Sequence, residues 1–390
     1  MLSHFVRLTA IVVCLSVPVL TATTAYAQKK SPDKPDKQEK KTEKKTAVVA
    51  AEIPSPKSVL GFQPATDKTI ADWTQITGYF QKLDAASDRV AVRTLGETTL
   101  KKPYIVAFIS SEQNIRDLDK IRQINQKLAD PRKIKDKAEA DELIASGKTV
   151  VVISCSIHST EIVASQMSMN LAYEMATAKD ADTLEILNNT VLMLIPSSNP
   201  DGIDIVADWY RKTLNTFYEG SNPPELYHHY AGHDDNRDWF MMNLAETRLA
   251  TKLFWQEWFP HVVYDVHQMG QNGARMVIPP FYDPPNPNIP PLILRELGAI
   301  GYRMASDLQA AKMNGVATNT TFDTWWHGGF RSAPYFHNSI GILSEAASAN
   351  LMSPVRITDE KLRGTRARGL NSVTERTTNF PQPWQPAYWG

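Results

Sequence analysis

Short apolar runs of strand length alternate along this chain with segments of helical period. Residues 150–157 (VVVISCSI), 190–196 (TVLMLIP), 261–266 (HVVYDV) and 340–344 (IGILS) are nearly continuous in apolar side chains, as fully buried strands are. Residues 161–177, 183–189, 244–258 and 293–311 show amphipathic helical spacing. Ahead of them, Ile70, Trp73, Ile76, Tyr79, Phe80 and Leu83 predict a leading helix over 67–84. Residues 89–95 and 104–110, with GETTLKKP between them, predict a hairpin-like strand pair. The polar, charged stretch 112–146 reads as a helical surface insertion. Apolar strands separated by amphipathic helices predict an α/β fold, with a mixed, mostly parallel central sheet covered by helices on both faces. Residues 279–291 hold seven prolines and predict a stiff, extended loop.

The N-terminal end departs from this pattern. Arg7 is followed by the apolar run 8–20 and then by Ala25-Tyr26-Ala27, the layout of a signal peptide spanning 1–27 with cleavage before Gln28. The apolar run is too short to span a bilayer comfortably, so no membrane span is expected after cleavage. Residues 28–60 read as a disordered Lys/Pro-rich tether. Its first part, 28–50, carries eight Lys against four acidic residues and almost nothing apolar before Ala47, so it cannot bury enough surface to offset its ordering entropy. A catalytic domain is expected over 61–390. Beyond the leader, Cys155 is the only cysteine, and its place mid-strand predicts a buried apolar role. The 42 basic and 42 acidic residues balance, which gives nucleic acid binding no support. The chain reads as exported, to the periplasm or beyond, with no obligate protein partner.

The candidate chemistry sits where strands run out. In open α/β sheets ligands bind beyond the carboxyl ends of the strands, and His158, Asn199, His267 and Glu345 each follow such an end. His158 and Glu161, three residues apart, can meet one Zn²⁺; a catalytic zinc takes three protein ligands, and His267 is the distant third. Asn199-Pro200-Asp201-Gly202 reads as a tight turn. Arg211, in WYRKT, could hold an oxyanion, and Asn236 with Arg237 could pair with a carboxylate. Glu345 follows IGILS and could take a proton from a zinc-activated water.

In order, HSTE at 158–161, SNPDG at 198–202, WYRKT at 209–213, DNRDW at 235–239, VHQ at 266–268 and LSEA at 343–346 resemble the zinc carboxypeptidases of the carboxypeptidase A-like kind. The similarity covers about 65–350 and is strongest to a bacterial exported branch. The resemblance implies the zinc carboxypeptidase-like, phosphorylase/hydrolase-like fold and one zinc held by His158, Glu161 and His267. It implies Glu345 as the base, Arg211 on the carbonyl oxygen, and Asn236 with Arg237 on the terminal carboxylate of a peptide or protein substrate. The sequence departs from the family at several points. No Tyr stands at the usual place for the family's mobile tyrosine, and Tyr335 is the nearest candidate for substrate contact. Asp238 replaces a common Asn, Tyr210 is added between Trp209 and Arg211, and Gln268 replaces a small residue. A related zinc amidase or deacylase, acting on peptidoglycan stem peptides or N-acyl amino acids, would use the same site. A non-catalytic envelope-binding domain on the same fold is the reading from another class.

Overall fold

The computed structural model describes residues 52–226, 234–363, 369 and 372–390. The expected signal peptide, residues 28–51 of the tether and the histidines at 228, 229 and 233 lie outside the described residues. Within the span expected for the tether, Pro56–Leu60 forms a helix (α1). Ser55 caps it, accepting the N–H of Ser58, and Pro sits in its first turn, where its missing N–H costs nothing.

The leading helix α2 (Trp73–Ala86) starts on a capping box between Asp72 and Gln75. Strands β1 (Val90–Glu97) and β2 (Pro103–Ile109) pair antiparallel. Helices α3 (Glu112–Arg116), α4 (Leu118–Leu128) and α5 (Lys137–Ser146) form the insertion. It is not purely a surface element, since α4 buries Ile121 and Ile124. Then β3 (Thr149–Cys155), α6 (Val163–Thr177), α7 (Ala181–Asn189), β4 (Thr190–Ile195) and α8 (Pro200–Thr213) alternate. Helix α9 (Ala245–Lys252) runs on into a π-turn over Leu253–Trp258 before β5 (Val262–Met269) and β6 (Met276–Val277). The proline-rich loop leads to α10 (Pro291–Ala310), followed by β7 (Val316–Ala317), β8 (Ile340–Ala347), β9 (Val355–Ile357), α11 (Asp359–Leu362) and β10 (Ala387–Trp389).

Eight strands form one mixed sheet in the order β1-β2-β4-β3-β5-β8-β6-β7. Its centre is parallel: β3 pairs with β4 and β5, and β5 pairs with β8. The α/β expectation holds, with helices on both faces. Residues alternate between faces along a strand. Val151, Ile153, Cys155 and Tyr264 pack with α2, α6, α8 and α10 on one side. Val150, Val152 and Val263 pack with Phe254, Trp258, Trp239 and Phe330 on the other. Each fully buried side chain of this size contributes roughly 1.5–3 kcal/mol. A third cluster, around Val277, Leu343, Phe322 and Phe380, continues the second face at the sheet's far edge.

Two features differ from the sequence expectation in ways that affect the site. First, the Asn199-Pro200-Asp201-Gly202 stretch opens α8 instead of forming an isolated turn. Asn199 accepts the N–H of Gly202 at 3.0 Å and Pro200 takes the first helical position. Buried Asp201 ties this helix start to the hairpin, accepting the Thr98 hydroxyl at 2.5 Å and the Leu100 N–H at 2.8 Å. Second, β5 and β8 run three residues further than their apolar cores, so His267 and Glu345 lie inside strands. The two are register partners on adjacent strands and therefore share one face.

Candidate metal centre

The loop leaving β3 is shaped by Ser156, whose φ of 46° turns the backbone out of the sheet. Its hydroxyl donates to the Glu161 carbonyl at 2.9 Å and accepts the Ser165 N–H at 3.0 Å. One side chain thus closes the loop and caps an orphan donor in the first turn of α6. The Ser159 hydroxyl donates to the Asn199 carbonyl at 3.0 Å, joining this loop to the start of α8.

His158, Glu161 and His267 converge. Their candidate donor atoms all lie within 4.8 Å of one another. His158 Nδ1 is 2.8 Å from Glu161 Oε1, and His267 Nδ1 is 2.9 Å from Glu161 Oε2. The two rings stand 4.9 Å apart. Two imidazoles and a carboxylate are zinc donors, and the set is compact enough for one dication. Each ring meets another carboxylate on its far side. His158 Nε2 lies 3.0 and 3.1 Å from the oxygens of Asp234, and His267 Nε2 lies 2.6 Å from Asp265 Oδ2. Such outer carboxylates orient metal-binding imidazoles.

The electrostatics follow from this packing. Burial alone would lower the pKa of His158, but the hydrogen bonds to Asp234 and Glu161 outweigh it and raise it to about 10. Burial likewise opposes protonation of His267, and the charges of Asp265 and Glu161 carry it well above its ordinary value. Burial would raise the pKa of Glu161, yet the adjacent imidazoles hold it down at about 2. Without the metal the cluster is thus an ionised carboxylate between two protonated imidazoles, so binding a metal ion releases protons.

Gln268 fastens the two halves of the cluster. Its backbone N–H donates to Glu161 Oε2 at 2.9 Å, and its side-chain oxygen accepts the first helical N–H of α6, at Val163, also at 2.9 Å. Glu345 is buried on β8, one strand away from His267 and on the same face. Asn236 approaches His267, with Nδ2 3.3 Å from Nε2, and accepts the Phe330 N–H at 2.8 Å. Phe330 stacks on Trp239 with centroids 4.1 Å apart, which fixes the Asp235–Arg237 turn against the sheet. Arg237 is exposed, with its guanidinium 5.7 Å from the Trp326 ring.

Two expected site residues lie elsewhere. Arg211 sits on α8 and is held at the start of α2, donating to Asp72, Gln75 and the Ile70 carbonyl at 2.9 Å each. Helix α8 turns Tyr210 inward, and the next residue, about 100° further round, faces outward. The WYRKT segment forms the last turn of this helix. Tyr335 is likewise engaged elsewhere. It is fully buried, with its hydroxyl donating to the Gly341 carbonyl at 2.9 Å. Conversely, neither Asp234 nor Asp265 was among the expected site residues. Strand alternation in HVVYDVH already puts Asp265 on the face of His267; Asp234 is brought in by tertiary packing, which local periodicity does not carry.

Residues 76–258 match the zinc carboxypeptidase family model. This segment is a zinc carboxypeptidase family domain. It contains His158, Glu161 and the Asp235–Arg237 turn, while His267 and Glu345 lie beyond its end and join through the sheet. Zinc is the family's metal, and the three-donor group fits it. Similar solved structures include carboxypeptidase A from Helicoverpa armigera, 15% identical with a TM-score of 0.48, over 75% of this chain and 70% of that one. Metallo-carboxypeptidases from Burkholderia cenocepacia (13% identical, TM-score 0.44, 70% of this chain and 59% of that one) and Pseudomonas aeruginosa (12%, 0.41, 70% and 59%) are also similar. No curated protein matches the chain. Among the described residues, no helix of this zinc carboxypeptidase-like chain is long and apolar enough to cross a membrane.

Proposed function

We propose that this chain is an exported metallocarboxypeptidase that hydrolyses the C-terminal peptide bond of peptides. The observation that carries the reading is the meeting of His158, Glu161 and His267, with Glu345 on the neighbouring strand and the same face. When bound, zinc supplies a Lewis acid that polarises a carbonyl and acidifies water. His158, Glu161 and His267 hold that ion. Glu345 takes the proton of the attacking water and passes it to the leaving amine. General acid–base assistance of this kind is worth about 10²–10⁴ in rate. Asn236, fixed between His267 and Phe330, lines the approach, and the exposed Arg237 receives the substrate's terminal carboxylate through paired hydrogen bonds. Binding that remote carboxylate orients the last peptide bond. Arg211 and Tyr335 take no part.

The test uses purified protein, metal analysis and a mixed peptide library with free and amidated C-termini, alongside muropeptides. The expected result is one zinc per chain and release of C-terminal residues from free-acid peptides only. Glu345→Gln should bind zinc and lose activity by at least a hundredfold. Undiminished hydrolysis by Glu345→Gln would refute the mechanism. Equal cleavage of amidated peptides, or cleavage of muropeptides alone, would move the assignment to the amidase reading.

A further inference from the structure

Asp265 is 1% exposed, inside an otherwise apolar strand. A carboxylate in that position is costly unless it is paired. Its register partners are Ser154 on β3 and Leu343 on β8, neither of them a cation. Among the described residues its ion pair is with His267, two residues on, where strand alternation puts both side chains on one face. Its second oxygen, Oδ1, is buried with no hydrogen-bond partner. The site thus accommodates a buried charge whose one close interaction is with the imidazole.

The separation of 2.6 Å between Oδ2 and His267 Nε2 identifies the proton. Two lone pairs at that distance repel, so Nε2 carries the hydrogen. Asn236 Nδ2, also near Nε2, is a donor at 3.3 Å, longer and uncharged, and it does not compete. Nδ1 faces Glu161 at 2.9 Å, on the side where the three ligand atoms converge, so it carries a proton in the metal-free ring and is the nitrogen that a metal ion would deprotonate, while Nε2–H stays with Asp265. His158 has a comparable partner in Asp234, whose side chain is 37% exposed. Asp265 has no such access to water, so its charge is much less screened.

Resting on the zinc reading above, we propose that Asp265 is a positioning residue. It fixes His267 in the Nε2–H tautomer, locks the ring plane and thereby sets the affinity of the site for its metal. The test measures zinc dissociation constants by chelator competition on the full chain, comparing wild type with Asp265→Asn and Asp234→Asn. Far-UV circular dichroism of the metal-free proteins controls for folding. Asp265→Asn preserves volume and should weaken zinc about 10–100-fold, with Asp234→Asn having the smaller effect. Zinc binding by Asp265→Asn within twofold of wild type overturns the proposal while leaving the hydrolase reading intact. A wild-type protein that binds no zinc overturns both. Should Asp265→Asn fail to fold, ¹⁵N-histidine spectra of the zinc-bound wild type decide. Two solvent-protected Nε2 protons, one of them surviving Asp234→Asn, support the role; a His267 ring without an Nε2 proton refutes it.

Discussion

Asp238 offers the sharpest test of how the turn bearing Asn236 and Arg237 is held. Its side chain is fully buried. One oxygen accepts the Asn243 N–H at 3.0 Å; the other accepts the Leu244 N–H at 2.9 Å and the Thr247 hydroxyl at 2.5 Å. Leu244 is the N-cap residue of α9, so Asp238 anchors that helix directly behind the site. Three donors converge on two oxygens, and a carboxylate can serve them all. An asparagine offers one oxygen and a competing NH₂ donor, so Asp238→Asn must leave at least one buried donor unmatched. We expect Asp238→Asn to cost about 1–3 kcal/mol. Asp238→Ala strips all three bonds and should cost about 3–4.5 kcal/mol, at about 1–1.5 each. Guanidinium unfolding followed by tryptophan fluorescence measures both, and zinc titration reports whether the loosened turn disturbs the site. The reasoning is refuted if Asp238→Asn is as stable as wild type, because three donors would then not require a carboxylate.

Three further outcomes follow from the same structure. Arg211→Ala should change kcat/KM less than twofold and cost under about 1 kcal/mol, as a partly exposed ion pair does; a loss of kcat by a hundredfold would restore Arg211 to the reaction. Tyr335→Phe removes one buried hydrogen bond and should lower stability by about 1 kcal/mol, with kcat unchanged in a steady-state assay. Glu219 is held at about 2 by the Ser353 hydroxyl, Lys68 and the Asn215 N–H, against an ordinary value of 4.5. A depressed carboxylate contributes stability above its unfolded value and loses it as pH falls through the folded one. The stability gap between wild type and Glu219→Gln, read from urea unfolding, should therefore be constant above pH ~5 and close between 4.5 and 2.

The central sheet was legible because its strands are buried on both faces and read as unbroken apolar runs. His158 and Glu161 were legible because three residues of loop and helix start suffice to bring them together. Helix α8 was also written in the sequence, though it went unread. Ile203, Val206, Ala207 and Tyr210 recur at helical spacing after an Asn cap and a Pro, but the NPDG turn signal and the likeness of WYRKT to a family motif outweighed that periodicity. The added Tyr210 is what disengages the motif from its expected role. It occupies the inward position, and Arg211 is rotated onto the outer surface. A motif match transfers a residue type; whether the side chain reaches the site depends on helical phase.

Gln268 shows where local sequence reasoning stops and packing takes over. In the sequence it is only a departure from the small residue usual in the family. In the fold it is a brace: one residue donates to Glu161 from its backbone and accepts from Val163 with its side chain. Strand β5, which carries His267, is thereby fixed to the start of α6, beside the loop that carries His158 and Glu161. A small side chain could keep the first bond but not the second, and the Val163 N–H would then need another acceptor. Ligands drawn from distant parts of the chain hold their spacing only when the backbone segments bearing them are joined directly. Asp265 and Asp234 meet the imidazoles from behind, while Gln268 and Ser156 tie the backbones beneath them. The precision of the cluster therefore resides as much in these four residues as in the three that face the metal.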